Sequence, residues 1–152
     1  MDQEHWIAYL FHRTEWEFWR HTEEKNQAEV VRDSLLPIVD AGLAVMVEAD
    51  HVIEDGVWLE STPGHTPGHC SVHLRSHGVD AVITGDMMHH PSQIAEPQWA
   101  TRACWNRELS IKTRTAFVQQ YADTPTRILG THFAPPTAVY IVSQRASFRV
   151  RV

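Results

Sequence analysis

Histidines are concentrated in one short stretch of the chain, "STPGHTPGHCSVHL" at residues 61–74, and just beyond it. Four of them recur at intervals of four residues: His65, His69, His73 and His77. This spacing would align four imidazoles on one face of a helix, and imidazole is both a common metal ligand and a frequent acid or base. Two prolines and two glycines within residues 63–68 are incompatible with a helix, however. The stretch is therefore predicted to be a tight loop between strands, in which proline and glycine direct a side chain.

Three candidate metal ligands stand at the ends of predicted buried strands. His65 follows the strand "GVWLES", Asp86 ends "DAVITGD", and His132 ends "TRILGTH". If these strands run in the same direction within one sheet, their ends converge at one edge. Two imidazoles and a carboxylate would then form a ligand set for Zn²⁺ or a similar ion, with open positions for water. Taken singly, each residue also fits a plainer role, as a loop histidine, a turn aspartate or a capping histidine.

The strand predicted after the loop, "CSVHLRS" at residues 70–76, alternates in polarity. This alternation predicts a half-buried strand with Val72 and Leu74 on one side and His73 on the other. We expect His73, in the strand, and His77, in the following turn, to be exposed polar residues rather than ligands.

The other segments mix predicted helices and strands. "WIAYLFH" at residues 6–12 is a predicted strand, and the T-x-x-E capping box at residues 14–17 starts a predicted helix. Asp33 and Ser34 are expected to cap a second helix that ends at Gly42. "LAVMVEA" and "GVWLES" are predicted strands on either side of the turn at residues 54–56. The later segment "MMHHPSQIAEPQW" is predicted to be irregular. Residues 107–122 are predicted to form a helix and residues 138–152 a hairpin. This mixture indicates a layered α/β domain.

Length, charge and cysteine content limit the class of protein. The chain has 152 residues, of which 43% are hydrophobic and 21% charged, as expected for one globular domain. Its net charge of −6, with the 13 lysines and arginines scattered, argues against a nucleic-acid-binding surface. Two cysteines cannot form a disulfide framework, so a cytoplasmic location is expected. Neither a secretory signal nor an apolar segment of membrane-spanning length is recognised, so no membrane association is expected.

Three motifs in a fixed order carry a resemblance to a known family. "TPGHTPGH", "ITGD" and "GTHF" together resemble the second half of the metallo-β-lactamase superfamily, which includes lactonases, hydroxyacylglutathione hydrolases and phosphotriester-cleaving enzymes. "GDMMHHP" is similar to one hydrolase subgroup in particular. The resemblance extends through nearly all of the chain and implies that residues 1–152 form one metallo-β-lactamase-like domain. The implied fold is a mixed α/β, four-layer αββα sandwich with a metal centre at one sheet edge.

The resemblance also implies individual roles. His65 is expected to bind one metal, His132 a second, and Asp86 to bridge them, while His69 braces the loop. Zn²⁺ is the expected metal, in one or two copies, with Mn or Fe as alternatives. His89, three residues after Asp86, is a candidate to bind substrate or to shuttle a proton. Two further residues, Met87 and Phe133, either line an apolar pocket beside the metals or pack in the core.

The sequence departs from the family in one respect: it contains no H-x-H, so the first metal motif, H-x-H-x-D-H, is missing. The chain resembles the part of the family after that motif, and the expected fold is incomplete at its N-terminal side. His5 and His12 are conceivable replacements, although His12 belongs to a predicted strand. A lone second half would expose one side of its sheet. This could reflect a shortened gene, self-association into a homo-oligomer, or a partner chain that supplies the rest.

Two functions of different class follow from these features. The first is a metal-dependent hydrolase in which a metal-activated water attacks an ester or lactone bond of a small-molecule substrate, with Asp86 and His89 as catalytic residues. The second is a catalytically inactive remnant that folds as an oligomer or with a partner. The number of metal ligands that the chain supplies distinguishes them.

Overall fold

The computed structural model of the chain describes residues 8–152. The chain forms two compact units, residues 1–48 and 49–152. The first two residues of the strand predicted at 6–12, and His5, lie outside the described range. Within that range, no helix is both long and apolar enough to cross a membrane.

The first unit combines a small sheet with a chain of short helices. Its strands and helices, in order, are β1 (Tyr9–His12), α1 (Arg13–Trp19), α2 (Lys25–Val30), a π-helical turn (Val31–Leu35), α3 (Leu36–Asp40) and β2 (Ala44–Val47). Strands β1 and β2 pair in parallel. The turn after α3 contains Gly42 with a φ of +71°, a left-handed conformation that glycine adopts readily, so the predicted helix end is confirmed.

Both predicted helix starts in this unit were wrong. Helix α1 begins at Arg13, with His12 as its N-cap and no side-chain cap, so Thr14 lies inside the helix. The second helical segment begins at Lys25 and continues through Asp33 and Ser34 rather than starting there. Residues that can cap a helix are also tolerated within one, so the motif alone does not locate the first turn.

A seven-stranded sheet forms the framework of the second unit. Its strands, which are neighbours in sequence order, are β3 (Val52–Glu54), β4 (Val57–Ser61), β5 (Cys70–Ser76), β6 (Val79–Ile83), β7 (Arg127–Leu129), β8 (Ala138–Gln144) and β9 (Ser147–Arg151). All neighbouring pairs are antiparallel except β6 and β7, which are parallel. Strands β4, β6 and β7 therefore run in the same direction, and their carboxyl ends lie at one edge of the sheet.

One face of this sheet is covered by the helix α5 (Arg107–Tyr121). The side chain of Asn106 caps α5 by accepting a hydrogen bond from the Leu109 N–H at 3.0 Å. The buried residues of α5 recur at helical spacing and pack on buried residues of the central strands. These residues include Phe117, Val118 and Tyr121 of the helix and Val82, Ile128, Val139 and Ile141 of the sheet.

Three further predictions about this unit need correction. Strand β2 does not lie across the 54–56 turn from β4, because the partner there is the short strand β3. The segment after Asp86 contains a 3₁₀ turn (Gly85–Met87) and a short helix α4 (Ser92–Ala95), so it is not wholly irregular. His73 is buried, with 9% of its surface exposed, because the face of β5 that carries it is the one that α5 covers.

Candidate metal centre

The loop that carries His65 is fastened to the start of α5 by backbone hydrogen bonds. The N–H groups of Trp105 and Asn106 donate to the carbonyl oxygens of His65 and Gly64, at 2.8 and 3.0 Å. Gly64 has a φ of +134°, and a Cβ there would lie 2.4 Å from the backbone of Ser110. Only glycine fits such a close approach of two backbones. The packing of this loop against the start of α5 therefore orients the His65 side chain.

His69 joins the same loop to the strand end that carries Asp86. Its Nε2 accepts a hydrogen bond from the Asp86 N–H at 3.0 Å, so Nδ1 carries the hydrogen and contacts the Thr62 hydroxyl at 2.8 Å. Gly85 has a φ of +54°, and a Cβ there would lie 2.7 Å from His69 Nε2. This geometry agrees with the bracing role expected of His69.

Four side chains meet at the carboxyl edge of the sheet. Asp86 lies between two of them: its Oδ2 is 3.4 Å from His65 Nε2, and its Oδ1 accepts a hydrogen bond from His132 Nε2 at 2.9 Å. His89 completes the group, with ring centroids 5.0 Å from His65 and 5.3 Å from His132. The three residues predicted as ligands are thus brought together, and His89 is added to them.

The donor set fits a metal ion. Ligand atoms of His65, Asp86 and His89 lie within 4.8 Å of one another, and His132 contacts this set through Asp86. Among the described residues, Nδ1 of His65 and Nδ1 of His89 are buried without a hydrogen-bond partner. A buried ring nitrogen normally has a partner, so its absence favours a further ligand at this place. Two or three imidazoles and a carboxylate are a usual environment for zinc.

The surroundings of His89 favour its neutral form. Burial and the nearby His65 lower the pKa of His89 below its ordinary value, and Asp86 opposes this only in part. The neutral imidazole is the form that binds metals.

A family model supports what this geometry indicates. The model of the metallo-β-lactamase superfamily matches residues 3–143. The chain belongs to the metallo-β-lactamase superfamily. Members of this superfamily and the structures described next are enzymes of the hydrolase class. A comparison with curated proteins found no match.

Several solved structures share the fold. A hydrolase named AbOPH is 22% identical, with a TM-score of 0.81 over 94% of this chain and 54% of its own. AidC, described as a dizinc quorum-quenching lactonase, is 17% identical, with a TM-score of 0.79 over 93% of this chain and 53% of its own. An N-acyl homoserine lactone hydrolase is 23% identical, with a TM-score of 0.56 over 73% of this chain and 41% of its own. The chain spans about half the length of these proteins.

The backbone after Asp86 is fixed by the side chain of Gln93, a contact that the sequence motifs did not indicate. The side-chain oxygen of Gln93 accepts hydrogen bonds from the N–H groups of His89 and His90, at 2.7 and 3.3 Å. Gln93 is 4% exposed, so these bonds are shielded from water. They fix the backbone that carries the His89 ring.

The buried side chain of Arg114, which has no exposed surface, also holds the segment that follows Asp86. Its guanidinium donates to the carbonyl oxygens of Met87, Pro97 and Trp99, at 3.1, 2.7 and 3.1 Å, and to the Ser110 hydroxyl at 2.9 Å. Burial lowers its pKa from the ordinary value, and Cys104 opposes that shift. A buried arginine surrounded by carbonyl oxygens has no sequence motif, and only its place on the covered face of α5 could have indicated it.

Met87 and Phe133 resolve one alternative that the sequence left open. Both are buried, at 1% and 5% exposure, and both belong to the hydrophobic core beneath the site. They pack beneath the candidate metal centre, which comprises His65, Asp86, His89 and His132, and do not form an open pocket. His12, one of the two conceivable replacement ligands, ends β1 in the first unit.

Proposed function

We propose that this superfamily member is a metal-dependent hydrolase that acts on an ester or lactone bond of a small molecule. The observation that carries the proposal is the convergence of His65, Asp86 and His89, with His132 in contact with Asp86. Both AidC and the homoserine lactone hydrolase, which share the fold, are described as acting on lactones, and this supports the choice of bond.

The chain's own residues divide the work as follows. His65 and His89 present imidazoles, and Asp86 presents one oxygen toward His65 and the other toward His132. These imidazoles and the Asp86 carboxylate would hold one or two metal ions. We place His89 among the ligands, whereas a role for it in proton transfer stays a prediction from the sequence.

A bound divalent metal supplies Lewis acidity, which activates water and polarises the substrate's carbonyl. Zn²⁺ suits this donor set best, and Mn²⁺ or Fe²⁺ is the alternative. The remaining task of the protein is orientation. Gln93, Arg114 and His69 hold the segments that carry the ligands, so these rings and the carboxylate keep their positions during the reaction.

The test is hydrolysis by the full chain, loaded separately with Zn²⁺, Mn²⁺ and Fe²⁺, of N-hexanoyl homoserine lactone, p-nitrophenyl acetate and a phosphotriester. We expect turnover of the lactone or the ester that a chelator abolishes and added metal restores. Replacement of Asp86 by Asn should lower the rate at least about 100-fold, since loss of an outer-shell partner alone costs 10- to 100-fold. Asp55→Asn, which changes an exposed carboxylate between β3 and β4, should have no effect.

A metal-loaded chain that leaves all three substrates intact would contradict the proposal. That result would favour the second hypothesis, an inactive member of the superfamily that only binds. The second hypothesis is retained because the sequence contains no H-x-H motif.

A further inference from the structure

A second group of titratable side chains lies away from the metal centre, on the side of the sheet that α5 covers. We call Glu60, His73 and Tyr121 the Glu60 cluster. Glu60 and His73 come from the adjacent strands β4 and β5, and Tyr121 comes from the last turn of α5. Trp58, the cross-strand partner of His73, stacks on its imidazole with ring centroids 4.6 Å apart.

The hydrogen bonds of the Glu60 cluster converge on one carboxylate oxygen. His73 Nε2 and the Tyr121 hydroxyl donate to Glu60 Oε2, at 2.5 and 2.8 Å, and Gln120 Nε2 donates to the Tyr121 oxygen at 2.9 Å. Among the described residues, the other oxygen, Oε1, has no hydrogen-bond partner. The carboxylate can therefore accept a further donor without losing its present ones.

The charge state of the cluster follows from its contacts. Burial raises the pKa of Glu60, but hydrogen bonds from His73 and Tyr121 and the charge of His73 outweigh burial, so that the pKa lies below its ordinary value. Burial and Glu60 raise the pKa of Tyr121 well above its ordinary value. Glu60 is therefore ionised and Tyr121 neutral at physiological pH. Perturbed groups of this kind are concentrated at functional sites.

A cavity of about 540 Å³ adjoins the Glu60 cluster and lies wholly within the second unit. Its described lining includes the aromatic rings of Trp58 and Tyr121, the carboxylates of Asp50 and Glu60, and the amide of Gln120, with no lysine or arginine. This volume lies within the range of small-molecule sites.

The cation of Arg75 already contacts the Trp58 ring, which lines this cavity. The guanidinium carbon of Arg75 lies 5.3 Å from the ring centroid of Trp58. Its charge is offset by Asp80, whose Oδ1 accepts a hydrogen bond from Arg75 Nε at 2.6 Å. The charge of Asp50 and the unbonded Oε1 of Glu60 thus remain available to a molecule that enters the cavity.

We propose that this cavity binds a small organic cation, an ammonium or guanidinium group joined to an apolar body. The cation would bond to Glu60 Oε1 and lie near Asp50, and charge-assisted hydrogen bonds of this kind are about twice as strong as neutral ones. The aromatic rings of Trp58 and Tyr121, which line the cavity, would contact the apolar body. Two carboxylates and the absence of lysine and arginine from the described lining disfavour anions.

The test is a titration of the isotope-labelled full chain with benzylammonium, and in parallel with benzyl alcohol, which has the same size without the charge. Both titrations use 0.15 M salt, and NMR follows the Trp58 indole, the His73 imidazole and the Gln120 side-chain amide. We expect saturable shifts of these signals with benzylammonium and about tenfold weaker binding of benzyl alcohol, in line with the loss of a charge-assisted hydrogen bond.

Matched variants separate binding from folding. Glu60→Gln keeps the size of the side chain and should weaken benzylammonium about tenfold while leaving benzyl alcohol unchanged. Asp50→Asn changes an exposed residue and should weaken benzylammonium without altering the fold, so it serves if Glu60→Gln is not folded. Asp55→Asn should bind both probes as the unmodified chain does.

Three results would overturn the proposal: equal affinity for the two probes, no saturable shift at the cavity residues, or unchanged benzylammonium affinity in a folded Glu60→Gln or Asp50→Asn variant. None of these measurements involves a metal or hydrolysis, so the outcome is independent of the proposed function.

Discussion

Two histidine–carboxylate clusters in the second unit differ in where their hydrogen bonds go. At the metal centre, Nδ1 of His65 and Nδ1 of His89 are buried without partners among the described residues, and Asp86 is 42% exposed at its side chain. In the Glu60 cluster, His73 and Tyr121 both bond to the carboxylate. The first arrangement is suited to a metal ion, and the second stabilises the packing of α5 on the sheet.

Both clusters place histidine next to a carboxylate, but only the first has a donor set suited to a metal ion. The distinguishing features are ring nitrogens that the protein leaves unbonded and carboxylate oxygens directed at separate rings. Position also differs, because the metal centre stands on loops at the ends of strands, whereas Glu60 and His73 lie within strands.

The stability of the chain should depend most strongly on the buried guanidinium of Arg114. Arg114→Met removes the donors to the Met87 and Pro97 carbonyls and to the Ser110 hydroxyl. Each buried polar group left unbonded costs about 1–3 kcal/mol, so we expect the free energy of unfolding to fall by about 3 kcal/mol or more. Urea denaturation followed by circular dichroism measures it.

Arg102→Met is the matched control, because Arg102 is exposed and nearby in the chain. Its effect should stay within about 0.5 kcal/mol, as is usual for surface substitutions. Equal stability of the two variants would show that Arg114 does not support the segment that carries His89.

The two carboxylates should have opposite roles. Asp86→Asn should weaken zinc binding at least about 100-fold, with little loss of stability in the metal-free chain. Glu60→Gln should lower the free energy of unfolding and leave zinc affinity unchanged, because its partners belong to the packing of α5. Competition with a zinc-binding dye and urea denaturation measure the two quantities on the same samples. Loss of zinc affinity in both variants to the same extent would remove the distinction between the clusters.

The hydroxyl of Tyr121 should contribute measurably to stability. Tyr121→Phe keeps the ring in the core but removes the hydrogen bond to Glu60, which should cost about 1.5–3 kcal/mol because the acceptor is charged. Tyr140→Phe is the control, since that hydroxyl accepts a bond from Arg127 at the surface. Chemical denaturation that gives the same midpoint for both variants would contradict the role assigned to the Glu60 cluster.

The smallest effect should appear in the pH dependence of stability. The pKa of Glu60 is held below its ordinary value in the folded chain, since the hydrogen bonds from His73 and Tyr121 outweigh burial. Its contribution is therefore complete above the unfolded-state pKa, about 4.3, and is lost as the pH falls through the lower folded-state pKa. The stability difference between the unmodified chain and Glu60→Gln should shrink as the pH falls below about 4. A difference that grows on acidification would contradict this sign.

The convergence of His65, Asp86 and His132 was predictable from their positions at strand ends. His65, Asp86 and His132 each follow a strand, and the equal direction of β4, β6 and β7 brings them together as expected. The place of His89 was not predictable in the same way. It depends on the 3₁₀ turn, on Gln93 and on Arg114, which is distant in sequence, and none of these contacts leaves a periodic pattern.

The burial of His73 was missed for a related reason. Strand β5 carries apolar residues on one side, and alternation therefore assigned His73 to the exposed side. The sheet has apolar residues on both faces, and only the docking of α5 decides which face is fully buried. Likewise, β3 has only three residues, Val-Ile-Glu, which is too short for an alternating pattern to indicate a strand.

We infer that His65, Asp86 and His89 bind a metal ion together. Calorimetric titration of the chelator-treated full chain with Zn²⁺ tests this claim. His89→Ala should weaken binding at least about 100-fold, as should His65→Ala. His90→Ala should bind as the unmodified chain does, because the His90 ring is bonded to Ser92 instead. Absence of zinc binding by the unmodified chain, or equal losses in His89→Ala and His90→Ala, would contradict the claim.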